Sequence, residues 1–108
     1  MEIKKDTHND WQIIQPQGRV DSNTAGALEK ALLPEAQQPN ARVLIDLSEL
    51  NYISSAGLRV LLMSAKASKK AQGELALSNM ADHVKEVFDI SGFSSIFTIV
   101  DKNEDVLG

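Results

Sequence analysis

The 108 residues predict an α/β domain with a mixed β-sheet, and three observations carry that reading. Val43-Leu-Ile-Asp-Leu47 is a nearly continuous, branched apolar run, the pattern of a strand buried on both faces of a parallel sheet. Leu58, Leu61, Leu62 and Ala65 recur at i, i+3, i+4 and i+7, which is one face of a helix. Strand-like and helix-like segments then alternate, as parallel strands joined by right-handed crossovers require. The predicted order is β-β-α-β-α-β-α-β, with Asp101–Asp105 polar enough to begin a short C-terminal helix.

Each element has its own signal. Trp11-Gln-Ile-Ile-Gln-Pro16 reads as an early strand, with Ile3 in a partner strand and the polar run Lys4–Asp10 as the hairpin loop. Gly18–Asn23 leads into a helix for which Ser22 or Asn23 can serve as N-cap. Ala27, Leu28, Ala31 and Leu32 share its inner face, Gly26 weakens it, and Pro34 is expected to end it. Glu35–Asn40 is a surface connection to the Val43–Leu47 strand, and a short loop follows. The Leu58 helix closes on Lys69 and Lys70, which suit the negative end of its dipole, and Gly73 is a good stop. Glu74–Ser78 is a strand; Met80, Val84, Val87 and Phe88 form a second helical stripe ending near Gly92; Ile96–Val100 is the last strand.

Composition narrows the function. Apolar residues at 43% and charged residues at 24% are ordinary for a globular domain, so one core is expected. A net charge of −4 argues against nucleic acid or an anionic membrane as the main partner, because both call for a basic face. The chain has no cysteine, which removes disulfides and thiolate metal sites. No apolar run approaches the roughly 20 residues of a membrane span, and Met1–His8 lacks a secretory apolar segment, so a cytoplasmic location is expected.

Chemistry-bearing residues are few. Ser54 and Ser55 stand where the Leu58 helix begins, and serine there is a preferred N-cap, worth about 1 kcal/mol. The same position exposes a hydroxyl beside free N–H groups that favour negative charge. Gly57 in the first turn is poor for helix propensity, which suggests backbone left uncovered for a partner. Asp21 and Asp46 lie near strand ends, each either holding loop amides or facing a partner, and Ser55 is expected on the same rim. Ala56-Gly57-Leu58 is no nucleophile elbow, His8 and His83 have no supporting carboxylate pattern, and there is no phosphate-binding glycine loop. No nucleophile, base and oxyanion group converge, so an enzyme is not expected, nor a metal or cofactor.

The stretch Val43-Leu-Ile-Asp-Leu-Ser-Glu-Leu-Asn-Tyr-Ile-Ser-Ser-Ala-Gly-Leu58 resembles the signature of STAS domains, the family of bacterial anti-sigma factor antagonists. Gly18-Arg-Val-Asp-Ser-Asn-Thr24 resembles that family's first strand-to-helix turn, and Val87-Phe-Asp-Ile-Ser-Gly-Phe93 its late helix end. The three motifs agree in order and spacing, so residues 1–108 are expected to form one STAS domain.

The resemblance implies a phosphorylation-switched signalling protein rather than an enzyme. In the family a serine kinase of the anti-sigma type modifies one serine, and a PP2C-type phosphatase restores it. The unmodified form binds the kinase and frees a sigma factor or another output. Aligned on Ala56-Gly57-Leu58, the acceptor falls on Ser55, and the implied partner surface is Asp21, Ser22, Asn23, Ser54, Ser55, Ala56, Gly57 and Arg59. Ser54 replaces the family's usual aspartate and removes a negative charge beside the acceptor, which implies either altered kinase recognition or Ser54 as a competing acceptor. Some relatives are scaffold, transporter or lipid-trafficking components. The alternative is therefore a non-switching interaction module in which Ser55 only caps its helix.

Overall fold

The computed structural model describes residues 1–108. β1 (Glu2–His8) and β2 (Trp11–Val20) form an antiparallel hairpin. After it come α1 (Ala25–Ala36), β3 (Arg42–Asp46), β4 (Leu50–Ile53), α2 (Ser55–Lys70) and β5 (Glu74–Ser78). The chain continues through α3 (Asp82–Ile90), a 3-10 turn (Phe93–Ser95), β6 (Thr98–Val100) and α4 (Glu104–Leu107). The sheet runs β1-β2-β3-β5-β6, parallel from β2 onward, with β4 paired to the far end of β2. The expected order and the short C-terminal helix are present, with β4 as an additional strand.

Strand periodicity separates two cores. Ile14, Val43, Ile45 and Leu77 meet α1, α2 and α3 through Leu28, Leu32, Leu61, Val84 and Phe88. The alternate residues Trp11, Leu44 and Ala76 form a small cluster on the opposite face, with Val106 and Leu107 of α4 packed against it. One face of the sheet is thus roofed by three helices and the other by a single helical turn.

Several local expectations are corrected. The Lys4–Asp10 run is not a loop: β1 continues to His8, and only Asn9 and Asp10 turn, both with positive φ (47° and 68°). That is the two-residue turn whose twist suits a hairpin, and the charges of β1 belong to an exposed edge strand rather than to a loop. β2 does not stop at Pro16. Gly18 takes φ +91°, the register shifts at Gly18/Arg19, and the strand bends away to pair with β4.

Pro34 does not end α1, which runs two residues beyond it; a missing N–H in the final turn costs one bond, not the helix. Neither Ser22 nor Asn23 is the N-cap. Thr24 holds that position without a side-chain cap bond, because its hydroxyl turns back to donate to the Arg19 carbonyl and accept from the Asp21 N–H. The last strand starts at Thr98, with Ile96 left 53% exposed.

Candidate functional site at the start of the second helix

β4 aims α2. Val20 and Ile53 are in register on the parallel β2–β4 pair, and the Ser54 N–H donates to the Val20 carbonyl at 2.8 Å. The end of β2 and the start of α2 therefore leave the sheet side by side. This brings the loop Asp21-Ser22-Asn23 next to the turn Ser54–Gly57, and both belong to the predicted partner surface.

The two serines divide the roles that the sequence left open between them. Ser54 is the N-cap: its backbone is extended (φ −91°, ψ 174°) and its Oγ accepts from the Gly57 N–H at 3.3 Å. Ser55 is the first helical residue, exposed to solvent, and has no part in that cap. It lies in the first turn of a 16-residue helix, at the positive end of the helix dipole, where an added anion is favoured. Ala56 is half-buried and packs against the main core, whereas Arg59 is exposed one turn further along.

Gly57 corrects an expectation. It is buried, and no opening for a partner surrounds it. A Cβ there would sit 2.6 Å from Val20 Cγ1 and 2.7 Å from Ile53 Cγ1. The glycine is needed because α2 presses against the β2–β4 pair.

The Asp21 loop is held by its own carboxylate. Asp21 Oδ1 accepts from the Asn23 N–H at 2.9 Å and the Thr24 N–H at 3.2 Å, while Thr24 Oγ1 donates to the Arg19 carbonyl at 2.8 Å. The Asn23 N–H is the main reason that the Asp21 pKa lies below its ordinary value; the Thr24 bonds and the Arg19 charge act in the same direction and together outweigh desolvation. Ser22 and Asn23 remain exposed on the turn. Two residues of this surface were missed in the sequence. Arg19 and Tyr52 are register partners on β2 and β4, and the guanidinium lies 4.3 Å from the Tyr52 ring centroid. Only the β4 pairing reveals them as neighbours.

Asp46 does not join this site. β3 pairs with β2 only as far as Ile14, whereas Ser54 sits by Val20, so β4 carries α2 well beyond the end of β3. Asp46 is 7% exposed and holds the Ser48 N–H at 3.0 Å, the loop-amide role. No three His, Cys, Asp or Glu side chains converge in a way that could hold a metal ion. No helix is long and apolar enough to cross a membrane.

The STAS domain family model matches residues 2–106. The chain is 44% identical over 104 residues to BtrV of Bordetella bronchiseptica, which carries the name anti-sigma factor antagonist; the match covers 96% of this chain and 90% of that protein. It is 35% identical over 100 residues to the anti-sigma-B factor antagonist of Bacillus subtilis, covering 93% and 90%. An anti-sigma factor antagonist structure from Thermotoga maritima superposes with a TM-score of 0.85 at 19% identity, over 95% of this chain and 89% of that one. A match across nearly the whole chain, on a fold whose β2–β4 pair presents Ser55 at a helix start, places this protein in the STAS family, among the anti-sigma factor antagonists and not among enzymes.

Proposed function

We propose that Ser55 is the reversible phosphorylation site of this antagonist. On this reading, a serine kinase of the anti-sigma type binds the surface formed by Asp21–Asn23 and Ser54–Arg59 when Ser55 is unmodified. A PP2C-type phosphatase resets the switch, and the output is a sigma factor or another protein released from the kinase. The observation that carries the reading is the division between the serines: Ser54 makes the cap bond, and Ser55 is exposed beside it.

The magnitudes favour a switch of binding over a switch of fold. A phosphate adds a charge of about −1.5 to −2 at pH 7. At the first residue of α2 the helix dipole offsets about 0.3–1 kcal/mol of its cost, so the domain stays folded. In a packed interface the same unpaired charge costs several kcal/mol, so the complex does not survive.

Incubation with the cognate kinase and ATP, followed by mass spectrometry, tests the site. Phosphate is expected on Ser55, with Ser55→Ala unmodified and still binding, and Ser55→Asp folded but binding weakly. Full phosphorylation of Ser55→Ala, with phosphate on Ser54 or elsewhere, would falsify the assignment.

A further inference from the structure

The second face of the sheet is closed by a segment with an unusual attachment. Residues 101–108 follow β6, where the sheet ladder stops at Val100. The backbone-to-backbone hydrogen bonds of the segment are internal. The Asp105 N–H donates to the Lys102 carbonyl, those of Val106 and Leu107 to the Asn103 carbonyl, and that of Gly108 to the Glu104 carbonyl. The segment can therefore lift without breaking a ladder bond. Its helix α4 has four residues and no side-chain cap bond, far too little to persist alone.

The segment is held at three points. Val106 and Leu107, both half-buried, rest on Trp11, Leu44 and Ala76. The Asn9 side-chain amide, on the hairpin turn, donates to the Leu107 carbonyl at 3.0 Å. The third point is Asn103, which at the helix N-cap turns its side chain away from its own helix. Asn103 Nδ2 donates to Asp46 Oδ2 at 3.1 Å, and Asn103 Oδ1 accepts from Ser78 Oγ at 2.5 Å and from Asn79 Nδ2 at 3.1 Å.

Asp46 is the centre of this cluster. Its Oδ1 accepts from the Ser48 N–H at 3.0 Å and Asn79 Nδ2 at 3.1 Å, and its Oδ2 also accepts from Gln15 Nε2 at 3.3 Å. A nearly buried carboxylate ringed by donors makes strong, charge-assisted bonds. Every residue of the cluster except Asn103 belongs to the sheet or its rim. A cavity of about 390 Å³ bordered by Lys4, Lys5 and Asp6 of β1 reaches both Asp46 and Asn103, so the contact is not sealed from solvent.

We propose that residues 101–108 are a strap, latched by Asn103 onto the Asp46 carboxylate, which opens as a unit and bares the Trp11–Leu44–Ala76 face while the three-helix side of the domain stays closed. The strap is a cover over a second apolar surface, remote in the fold from Ser55. Its opening is a local unfolding step with its own free energy, below that of the whole domain.

Trp11 is the chain's single tryptophan and lies beneath the strap, so it reports the state of the latch. The test compares the intact wild-type chain with Asn103→Ala and, as a second variant, Asp46→Asn, which sets an amide among amide donors. Acrylamide quenching of Trp11 and amide hydrogen exchange are measured on all three. Loss of a hydrogen bond to a charged group predicts about ten- to hundredfold faster exchange at Val106, Leu107 and Gly108. Trp11 quenching should rise with it, while the amides of Leu44, Ile45 and Leu77 keep their wild-type protection in Asn103→Ala. Two results overturn the proposal: unchanged Trp11 quenching and strap exchange in both variants, or strap amides that open only together with the sheet amides.

Discussion

Asp21 and Asp46 invite the same reading in the sequence, since each is an aspartate near the end of a strand on the rim of a parallel sheet. The fold gives them opposite jobs. Asp21 binds N–H groups two and three residues ahead, so its loop is a self-contained turn that stays at the surface. Asp46 binds side chains 31, 33 and 57 residues away, and so ties β2, β5 and the segment before α4 into one cluster. A carboxylate serving local backbone leaves its neighbourhood free to change chemically. One serving distant side chains makes its neighbourhood a joint. The first kind lies beside Ser55 and the second lies under the strap.

Acid separates the two regions with the largest effect. Burial alone would raise the Asp46 pKa, but the Ser48 N–H and the amides of Asn79 and Asn103 outweigh it and hold the carboxyl below its ordinary value. A depressed folded pKa contributes stability above the unfolded value, and that stability is lost as pH falls through the folded one. Nothing should therefore change at Trp11 between neutral pH and the ordinary carboxylate range, and the loss should come only as the pH falls below that range. There a protonated oxygen faces amide donors, and each buried donor left without an acceptor costs about 1–3 kcal/mol. Asp21 titrates in the same direction, but its protonation loosens only the entry to α1. A pH titration of Trp11 emission, set against a reporter placed on α1, should show the Trp11 change in wild type and lose it in Asp46→Asn. A Trp11 change near neutral pH would contradict the assignment.

Gly57→Ala probes what lies directly beneath the candidate site and is expected to have the next largest effect. The methyl would meet Val20 and Ile53 at under 3 Å, an overpacking penalty of about 1–3 kcal/mol. The gain in helix propensity returns about 1 kcal/mol. A net loss of up to about 2 kcal/mol is expected, which thermal unfolding reads as roughly 4–8 °C per kcal/mol for a domain of this size. A raised melting temperature would show that α2 can shift away from β4, and that the pairing does not fix where Ser55 stands.

The parts of the molecule legible in the sequence are those set by periodicity. The Glu74–Ser78 strand lies where it was read, and the Val43–Leu47 run within one residue of β3, because burial on both faces dictates residue type directly. The helix of the Leu58 stripe is in place, but its buried face is turned toward Val60, Ser64 and Ser68, with Leu62 and Ala65 half-buried at the edge, because small serines fit where α2 lies close to the sheet. The partner strand at Ile3 was read, but its continuation through Lys4–His8 was taken for a loop, because an edge strand selects polar residues much as a loop does. β4 was missed because only Leu50 and Ile53 of its four residues are buried, too short a pattern to show a period. The candidate site was legible as a motif but not as a geometry. Which serine caps, why Gly57 must be glycine, and that Arg19 stacks on Tyr52 all depend on the β2–β4 pairing. The Asp46 cluster joins residues too far apart in sequence for any local pattern to connect them.

The smallest expected effects are also the most discriminating at the site, because they come from neighbouring hydroxyls. Ser54→Ala removes the oxygen that accepts from the Gly57 N–H and should cost about 1 kcal/mol, typical of a lost N-cap. Ser55→Ala removes an exposed hydroxyl outside the cap and should stay within about 0.5 kcal/mol of wild type. Ser55→Asp places a carboxylate at the positive end of α2, where the dipole favours it by about 0.3–1 kcal/mol, so its melting temperature should equal or slightly exceed that of Ser55→Ala. Denaturant midpoints measured side by side resolve this order. If Ser55→Ala destabilised as much as Ser54→Ala, both hydroxyls would be holding the helix together, and a residue needed for folding could not carry a charge that turns binding on and off.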